Sequence, residues 1–141
     1  MSATAILGNQ GGQFTKRITF DGVAQGAVGT VVIGTCVGNG SIIITHIVNH
    51  CVVALVSAGG GTISLGSTGN VAALIAATTA TTIDTNEFWQ DATPELGVGS
   101  VLIDRYLVAD LTYTVVTAAI TAGSIDFTVN WLPNQPNSQL A

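Results

Sequence analysis

The sequence predicts an all-β protein, an antiparallel β-sandwich of jelly-roll type with at most one short helix. About eight short segments rich in Val, Ile and Thr follow one another along the chain of 141 residues. Several of these segments alternate apolar and polar residues with a period of two, which is typical of strands. Gly-rich turns separate the segments, as they do in sandwiches and barrels.

The candidate strands of the first half are rich in β-branched residues and end at glycine turns. They cover residues 16–20, 28–37, 42–57 and 62–66. The longest, 42–57, carries apolar side chains at both even and odd positions, so we expect both of its faces to be covered. Asp21-Gly22 and Gly38-Asn39-Gly40 predict turns, the second of them in a hairpin.

The second half contains the candidate helix and the remaining strands. Asn70 is a suitable N-cap for a helix over residues 70–77. The helical spacing of apolar residues there comes from Val71, Leu74 and Ile75. Further strands are predicted at 101–108, 110–120 and 125–132. In the last of them, alternate residues from Ile125 to Trp131 share one apolar face, so Trp131 is expected in the core.

The chain is predicted to form one β-sandwich domain, residues 15–133, between two terminal segments. Residues 1–14 are small, polar and Gly-rich, which indicates a flexible N-terminal arm. Residues 134–141 are uncharged and predict an extended C-terminal tail. A domain of this length buries enough surface to fold without disulfides or metals.

The start of the chain does not resemble a secretory signal, because no basic region precedes an apolar one. We therefore expect synthesis in a reducing cytoplasm. In that compartment Cys36 and Cys51 are expected to stay free thiols that behave as small apolar residues.

Charge is scarce. Charged residues make up 8% of the chain, against about 25% in an ordinary globular domain. With only 3 Lys and Arg and a net charge of −5, the chain is a poor candidate for binding nucleic acid. Its apolar runs are too short for a membrane helix. The shortage of charge favours a surface covered by neighbouring subunits, the alternative being a monomer coated with Thr and Ser.

No catalytic or cofactor motif is present. The G-x-S-x-G, Walker and G-x-G-x-x-G patterns are absent, so neither an enzyme nor a bound cofactor is expected. His46 and His50 share one face of a strand about 13 Å apart at roughly 3.3 Å per residue, too far to hold one metal. They are either hydrogen-bonded sheet residues or, across a subunit axis, a metal or pH-sensing site.

Residues 84–104 form the one acidic section. Its carboxylates are Asp84, Glu87, Asp91, Glu95 and Asp104. A solvated loop is the main interpretation, with paired catalytic carboxylates or a calcium loop as alternatives, although the EF-hand pattern is absent. Phe88 and Trp89 lie within this section, where they either plug one end of the sandwich or anchor a partner.

Five segments, taken in order, carry a resemblance to a known class. They are TISLG (62–66), NVAALIAA (70–77), Glu87-Phe88-Trp89, YTVVTAAITAG (113–123) and FTVNWLP (127–133). Over residues 40–133 this order resembles small head decoration, or cement, proteins of tailed bacteriophages. The resemblance implies a jelly-roll fold, a homo-oligomer with a trimer favoured, and a place on the outside of the virion capsid. The major capsid protein and further copies of the chain would be its partners.

Candidate contacts to the capsid or to other subunits are apolar residues of the arm and of the acidic section. They are Ile6, Leu7, Phe14, Phe88 and Trp89. The function implied is stabilisation of the expanded shell by binding it. The alternatives are a tail or fibre module, and a carbohydrate-binding jelly roll in which an exposed Trp89 would stack on sugars.

Overall fold

The computed structural model of the chain describes residues 11–38, 41–97, 101–135 and 137–141, with the backbone alone for 101–104. The strands in these ranges are β1 (Gly12–Thr19), β2 (Gly29–Gly34), β3 (Cys36–Val37), β4 (Ile42–Val56), β5 (Thr62–Ser67), β6 (Asn70–Thr79), β7 (Glu87–Phe88), β8 (Glu95–Leu96), β9 (Val101–Leu107), β10 (Leu111–Val116), β11 (Ala122–Pro133) and β12 (Gln139–Leu140). A single 3-10 turn, Ala80–Thr82, is the helical segment of the described chain.

The strands form antiparallel sheets that pack together over one core. The larger sheet has the order β1-β11-β4-β7-β8, with β9 also paired to β4. The smaller sheet has the order β2-β10-β5-β6, and β12 pairs with β3. Apolar residues of both larger sheets join in one buried cluster. The predicted all-β antiparallel sandwich is confirmed, and its jelly-roll topology stays a prediction.

The long strand β4 buries one set of alternate residues in its first part and the other set after a bulge. Ile42 and Ile44 face the core, and after Thr45 the buried positions become Ile47, Asn49 and Cys51. A register shift between Ile44 and His46 marks a β-bulge there, and one extra residue reverses which side chains point inward. This bulge explains why the sequence is apolar at both even and odd positions. The expectation that both faces are covered is therefore wrong, because the outer positions are only half-buried or exposed.

The helix predicted over residues 70–77 is also wrong, since these residues lie in β6. Ser67 pairs with Asn70 but Leu65 pairs with Ile75, so residues 71–74 bulge out of register. The hydroxyl of Ser64 donates to the carbonyl oxygen of Val71 at 2.8 Å. Residues 71–74 thus fold over the outer side of β5, and the bulge, not a helical turn, brings apolar neighbours to the core.

The approach of this bulge requires a glycine in β5. A Cβ on Gly66 would lie 2.2 Å from the carbonyl oxygen of Asn70, far inside van der Waals contact. With the bulge above it, Thr112 in the middle of the smaller sheet is wholly buried although it points away from the core. The smaller sheet is therefore partly covered on its outer side by its own chain.

The described parts of the terminal segments are tied into the fold. β1 begins at Gly12, so the last residues of the predicted arm belong to the larger sheet, and Phe14 packs against the core. Thr35 and Ala141 exchange two backbone hydrogen bonds of 2.7 and 2.9 Å. Leu140 is buried, so the predicted C-terminal tail is folded back onto the sandwich. Residues 1–10, with Ile6 and Leu7, lie outside the described residues.

Candidate interaction surface

The outer side of the larger sheet carries most of the candidate residues. We call it the broad face and define it by four cross-strand rows. These rows are Arg17–Asp126–His50–Phe88–Glu95, Thr15–Thr128–Val48, Gln13–Asn130–His46 and Leu132–Ile43–Tyr106. Directly opposed residues of antiparallel strands point to the same side, so each row is a line of neighbouring side chains.

An ion pair begins the first row. Nε of Arg17 donates to Oδ1 of Asp126 at 2.5 Å, and Nη2 donates to Oδ2 at 2.8 Å. The hydrogen bonds and the charge of Arg17 lower the pKa of Asp126, and the carboxylate raises the pKa of Arg17. The two charges neutralise each other where they lie, so this end of the row carries little net charge.

An imidazole and a phenyl ring follow in the same row. The ring centroids of His50 and Phe88 are 5.1 Å apart, with an angle of 36° between the planes. Both side chains are half-buried, and Glu95 lies exposed beside Phe88. His50 is thus held between a carboxylate and an aromatic ring, with part of its ring open to solvent.

The two histidines share the broad face, as predicted, but they belong to different rows. His46 lies beside Asn130, and its Nδ1 is 3.3 Å from the hydroxyl of Thr45. Within the described chain, no three His, Cys, Asp or Glu side chains converge in the way a metal site would require. Each histidine therefore has its own neighbours on the sheet.

The last row is apolar. Tyr106 is 63% exposed and Leu132 47% exposed, on either side of the half-buried Ile43. The hydroxyl of Tyr106 donates to Oδ1 of Asn134 at 2.8 Å, which holds the ring at the edge of the face. Exposed apolar side chains in one line are typical of contact surfaces. Sequence reasoning did not single out Tyr106 or Leu132, because strand register alone brings them together.

Phe88 and Trp89, considered together in the sequence, lie on opposite sides of the larger sheet. Trp89 is fully buried, and its ring centroid lies 6.3 Å from that of Phe127 in an edge-to-face contact. Its backbone N–H donates to the carbonyl oxygen of Asn49 at 2.9 Å. Trp89 is consequently part of the core and is not exposed for a sugar or a protein partner, whereas Phe88 remains on the broad face.

The acidic section forms local turns in its described part. The backbone N–H of Asp84 donates to Oε2 of Glu87 at 2.8 Å, and the N–H of Glu87 donates back to the carbonyl oxygen of Asp84 at 3.0 Å. Oδ1 of Asp91 accepts from the N–H of Thr93 at 2.7 Å. Residues 98–100 and the side chain of Asp104 lie outside the described residues. The carboxylates of Glu87 and Asp91 thus hold the backbone of the turns in which they lie.

Neither cysteine forms a disulfide, as predicted. Cys51 is buried in the core, where burial above all, and then the charges of Glu87 and Asp84, raise its pKa to about 11. Cys36 is half-buried, and burial raises its pKa as well. A protonated thiol is a poor nucleophile, so the buried Cys51 is a structural residue.

One shallow cleft lies at the margin of the broad face. It has a volume of about 350 Å³ and is lined by Thr15, Lys16, Arg17, Asp126, Phe127 and Thr128. Its charged lining includes the Arg17–Asp126 pair, whose groups already satisfy each other. The cleft therefore presents Lys16 as its unneutralised charge.

No protein-family model matches the chain, and no curated protein or solved structure shows significant similarity to it. No helix in the described part of the chain has the length and apolar character needed to cross a membrane.

Proposed function

We propose that this chain is a structural protein that works by binding other proteins through its broad face. We further propose that the assembly is the head of a tailed bacteriophage, with the chain on the outside of the capsid. The observation that carries the proposal is the broad face itself, whose last row is uncharged and exposes Tyr106 and Leu132. The phage assignment rests on the resemblance over residues 40–133.

A flat sheet face suits a protein partner better than a small substrate. Small-molecule sites are concave pockets with a few convergent polar groups. Protein interfaces instead combine apolar and aromatic centres, depleted of charge, with a polar rim. On the broad face, Val48, Ile43 and Tyr106 supply the apolar part, and Gln13 and Thr15 lie at its polar margin.

Stabilisation of the expanded shell would follow from selective binding. A ligand that binds one state of a shell and not another shifts the equilibrium toward the bound state. Several copies joined in one oligomer would each add a modest contact, and their combined binding would be much stronger than that of one copy. The partners in this proposal are the major capsid protein and other copies of the chain.

The test is binding of the purified chain to immature and to expanded capsids of the phage that encodes it. We expect cosedimentation with expanded capsids only, and a higher melting temperature of the decorated shell. Tyr106→Glu and Leu132→Glu should each weaken binding at least tenfold, because they place charge in the exposed apolar row of the face. Val23→Glu, at an 82% exposed loop position, is the matched control and should bind normally.

Equal binding to both capsid forms, or no binding to either, would refute the decoration role. Unchanged binding by both broad-face variants would refute the role of that face. A tail or fibre module is the alternative structural role, and electron microscopy of labelled particles separates it, since decoration predicts label over the whole head. The carbohydrate-binding alternative required an exposed Trp89 and loses that support because the side chain is buried.

A further inference from the structure

Charge is distributed very unevenly between the two main sheets. None of the four strands of the smaller sheet contains a charged residue. The strands of the larger sheet contain Lys16, Arg17, Glu87, Glu95, Asp104, Arg105 and Asp126. The smaller sheet therefore depends on uncharged groups, namely hydroxyls, glycines and the amide of Asn70, for its polar surface.

Edge strands normally carry a feature that prevents pairing with another chain, such as charge, short length or a bulge. Most edges in the described chain have one. β1 contains Lys16 and Arg17, β9 contains Asp104 and Arg105, and β8 has two residues including Glu95. β6 is interrupted by the bulge at 71–74. β2 carries no charge, and its own bulge, at Ile33, leaves residues 29–32 in regular register.

β2 has an open edge and an exposed apolar side chain. Among the described residues it pairs with β10 alone, and the pairing is regular from Gly29 to Val32. Val32 is 46% exposed and Thr30 is exposed on the same outer side. Val28, which directly precedes the strand, is exposed too. A strand with this composition presents unpaired backbone donors and acceptors together with apolar surface.

We infer that β2 is the surface by which two copies of this chain meet, as antiparallel neighbours across a two-fold axis that passes close to Val31. The pairing would join the two smaller sheets into one continuous sheet of eight strands. Such an interface is self-complementary, because each copy offers the same alternation of N–H and C=O groups. Thr30 and Val32 of each copy then lie beside those of the other, and burial of Val32 adds to the backbone hydrogen bonds.

The charges favour a second copy at β2 over the same arrangement at another edge. A two-fold axis sets each strand against itself, and like charges directly opposite one another are destabilising. Self-pairing of β1 would bring Lys16 and Arg17 against the same cations of the second copy. Self-pairing of β2 places no charged residue opposite another, so it adds no repulsion between two chains that each carry a net charge of −5.

This inference rests on the proposed function only for the statement that the chain is a homo-oligomer, and it names the contact surface. It differs from what the resemblance implies in the number of chains in the oligomer. The resemblance favours a trimer, whereas a two-fold axis at β2 requires a dimer or a multiple of it. The mass of the purified protein in solution decides between them, with no capsid present.

The experiment is sedimentation equilibrium of the full chain and three variants over a range of concentrations. The wild type should show twice the mass of one chain. Val32→Lys and Thr30→Lys should each raise the dimer dissociation constant at least tenfold, because they place charge on the edge. Val53→Lys, at a 53% exposed position of β4 in the other sheet, should leave the dimer intact.

Circular dichroism and the melting temperature verify that each variant is folded. Amide hydrogen exchange supplies a second measurement, since β2 amides should lose protection when the wild type is diluted to the monomer. A wild type that is a monomer at its highest soluble concentration, or a trimer, would overturn the inference. So would a dimer that both β2 variants leave intact. Capsid binding is measured separately, so a failure of the β2 dimer would not refute the proposed function, and a failure of capsid binding would not refute the dimer.

Discussion

Trp89 donates the hydrogen of its indole Nε1 to the hydroxyl oxygen of Thr78, 2.9 Å away, inside the sandwich. Thr78 belongs to β6 of the smaller sheet, and Trp89 directly follows β7 of the larger one. Both side chains are buried. The bond therefore links the two sheets across the core, at a point where the indole would otherwise lack a polar partner.

Replacing Thr78 by Val should destabilise the fold while preserving its shape. The indole N–H would remain buried without an acceptor, which costs about 1–3 kcal/mol. Urea unfolding followed by circular dichroism measures the loss. In a double-mutant cycle with Trp89→Phe, the two losses should add to more than the loss in the double variant.

The matched control is Thr81→Val, at an exposed threonine of the 3-10 turn, which should change the unfolding free energy by less than about 0.5 kcal/mol. Strict additivity of the Thr78 and Trp89 variants would show that the hydrogen bond contributes nothing to stability.

Tyr113→Phe should weaken the attachment of the loop between β1 and β2. The Tyr113 hydroxyl donates to Oε1 of Gln25 at 2.6 Å and accepts from the backbone N–H of Gly26 at 3.0 Å. Without the hydroxyl the Gly26 N–H is buried and unpaired, for a loss of about 1–3 kcal/mol in thermal or urea unfolding. Tyr106→Phe is the control on the broad face, and an equal loss there would contradict this account.

Alkaline pH should also act through Tyr113. Burial raises its pKa above the usual 10.0, so the folded state holds the phenol proton more tightly than the unfolded state. The contribution is complete below the unfolded pKa and declines as the pH rises through the raised value. Unfolding free energies measured across this range should fall less steeply for Tyr113→Phe than for the wild type.

Cys51 should resist alkylation in the native protein. Its pKa of about 11 leaves almost no thiolate near neutral pH, and its sulfur lies in the core. The variant Cys36→Ser isolates this thiol for labelling with iodoacetamide followed by mass spectrometry. Labelling should occur in urea and be nearly absent in buffer. Rapid labelling of the folded variant would show that the strand around Cys51 opens readily.

Asp126 should titrate below its ordinary pKa of 3.8, because Arg17 stabilises the carboxylate. The folded pKa is depressed, so the stabilising contribution is present above the unfolded pKa and is lost as the pH falls through the folded value. Carboxyl carbon chemical shifts measured by NMR against pH report the midpoint. Arg17→Gln should return it to the ordinary value, and added salt should reduce the difference since the pair is exposed. An unchanged midpoint in Arg17→Gln would exclude the ion pair as the cause.

Local sequence pattern was sufficient for the class of fold and for one strand in detail. In β11 the residues Ile125, Phe127 and Val129 are buried and alternate with less buried polar residues, as predicted. Period-two alternation is a property of the strand itself, so it is visible without knowledge of its neighbours. The same pattern was insufficient wherever an extra residue interrupted it, as at Thr45 in β4.

The predicted helix shows why spacing alone was ambiguous. Val71, Leu74 and Ile75 have the spacing of a helical face, but a bulged edge strand can also bring adjacent residues such as Leu74 and Ile75 to one core. Residues 70–79 form a strand and not a helix because their backbone pairs with β5, and Gly66 of β5 leaves room for the bulge. That partner is a tertiary feature.

The sequence by itself determined a charge-poor, all-β sandwich without a disulfide, because composition and alternation act locally. The tertiary structure alone decided which residues form the broad face, since Arg17 and Asp126 are 109 positions apart and meet only through strand register. It also placed Trp89 inside and Phe88 outside, and it left β2 as an uncharged edge. Non-local pairing of strands sets these relationships, and no short stretch of the chain encodes them.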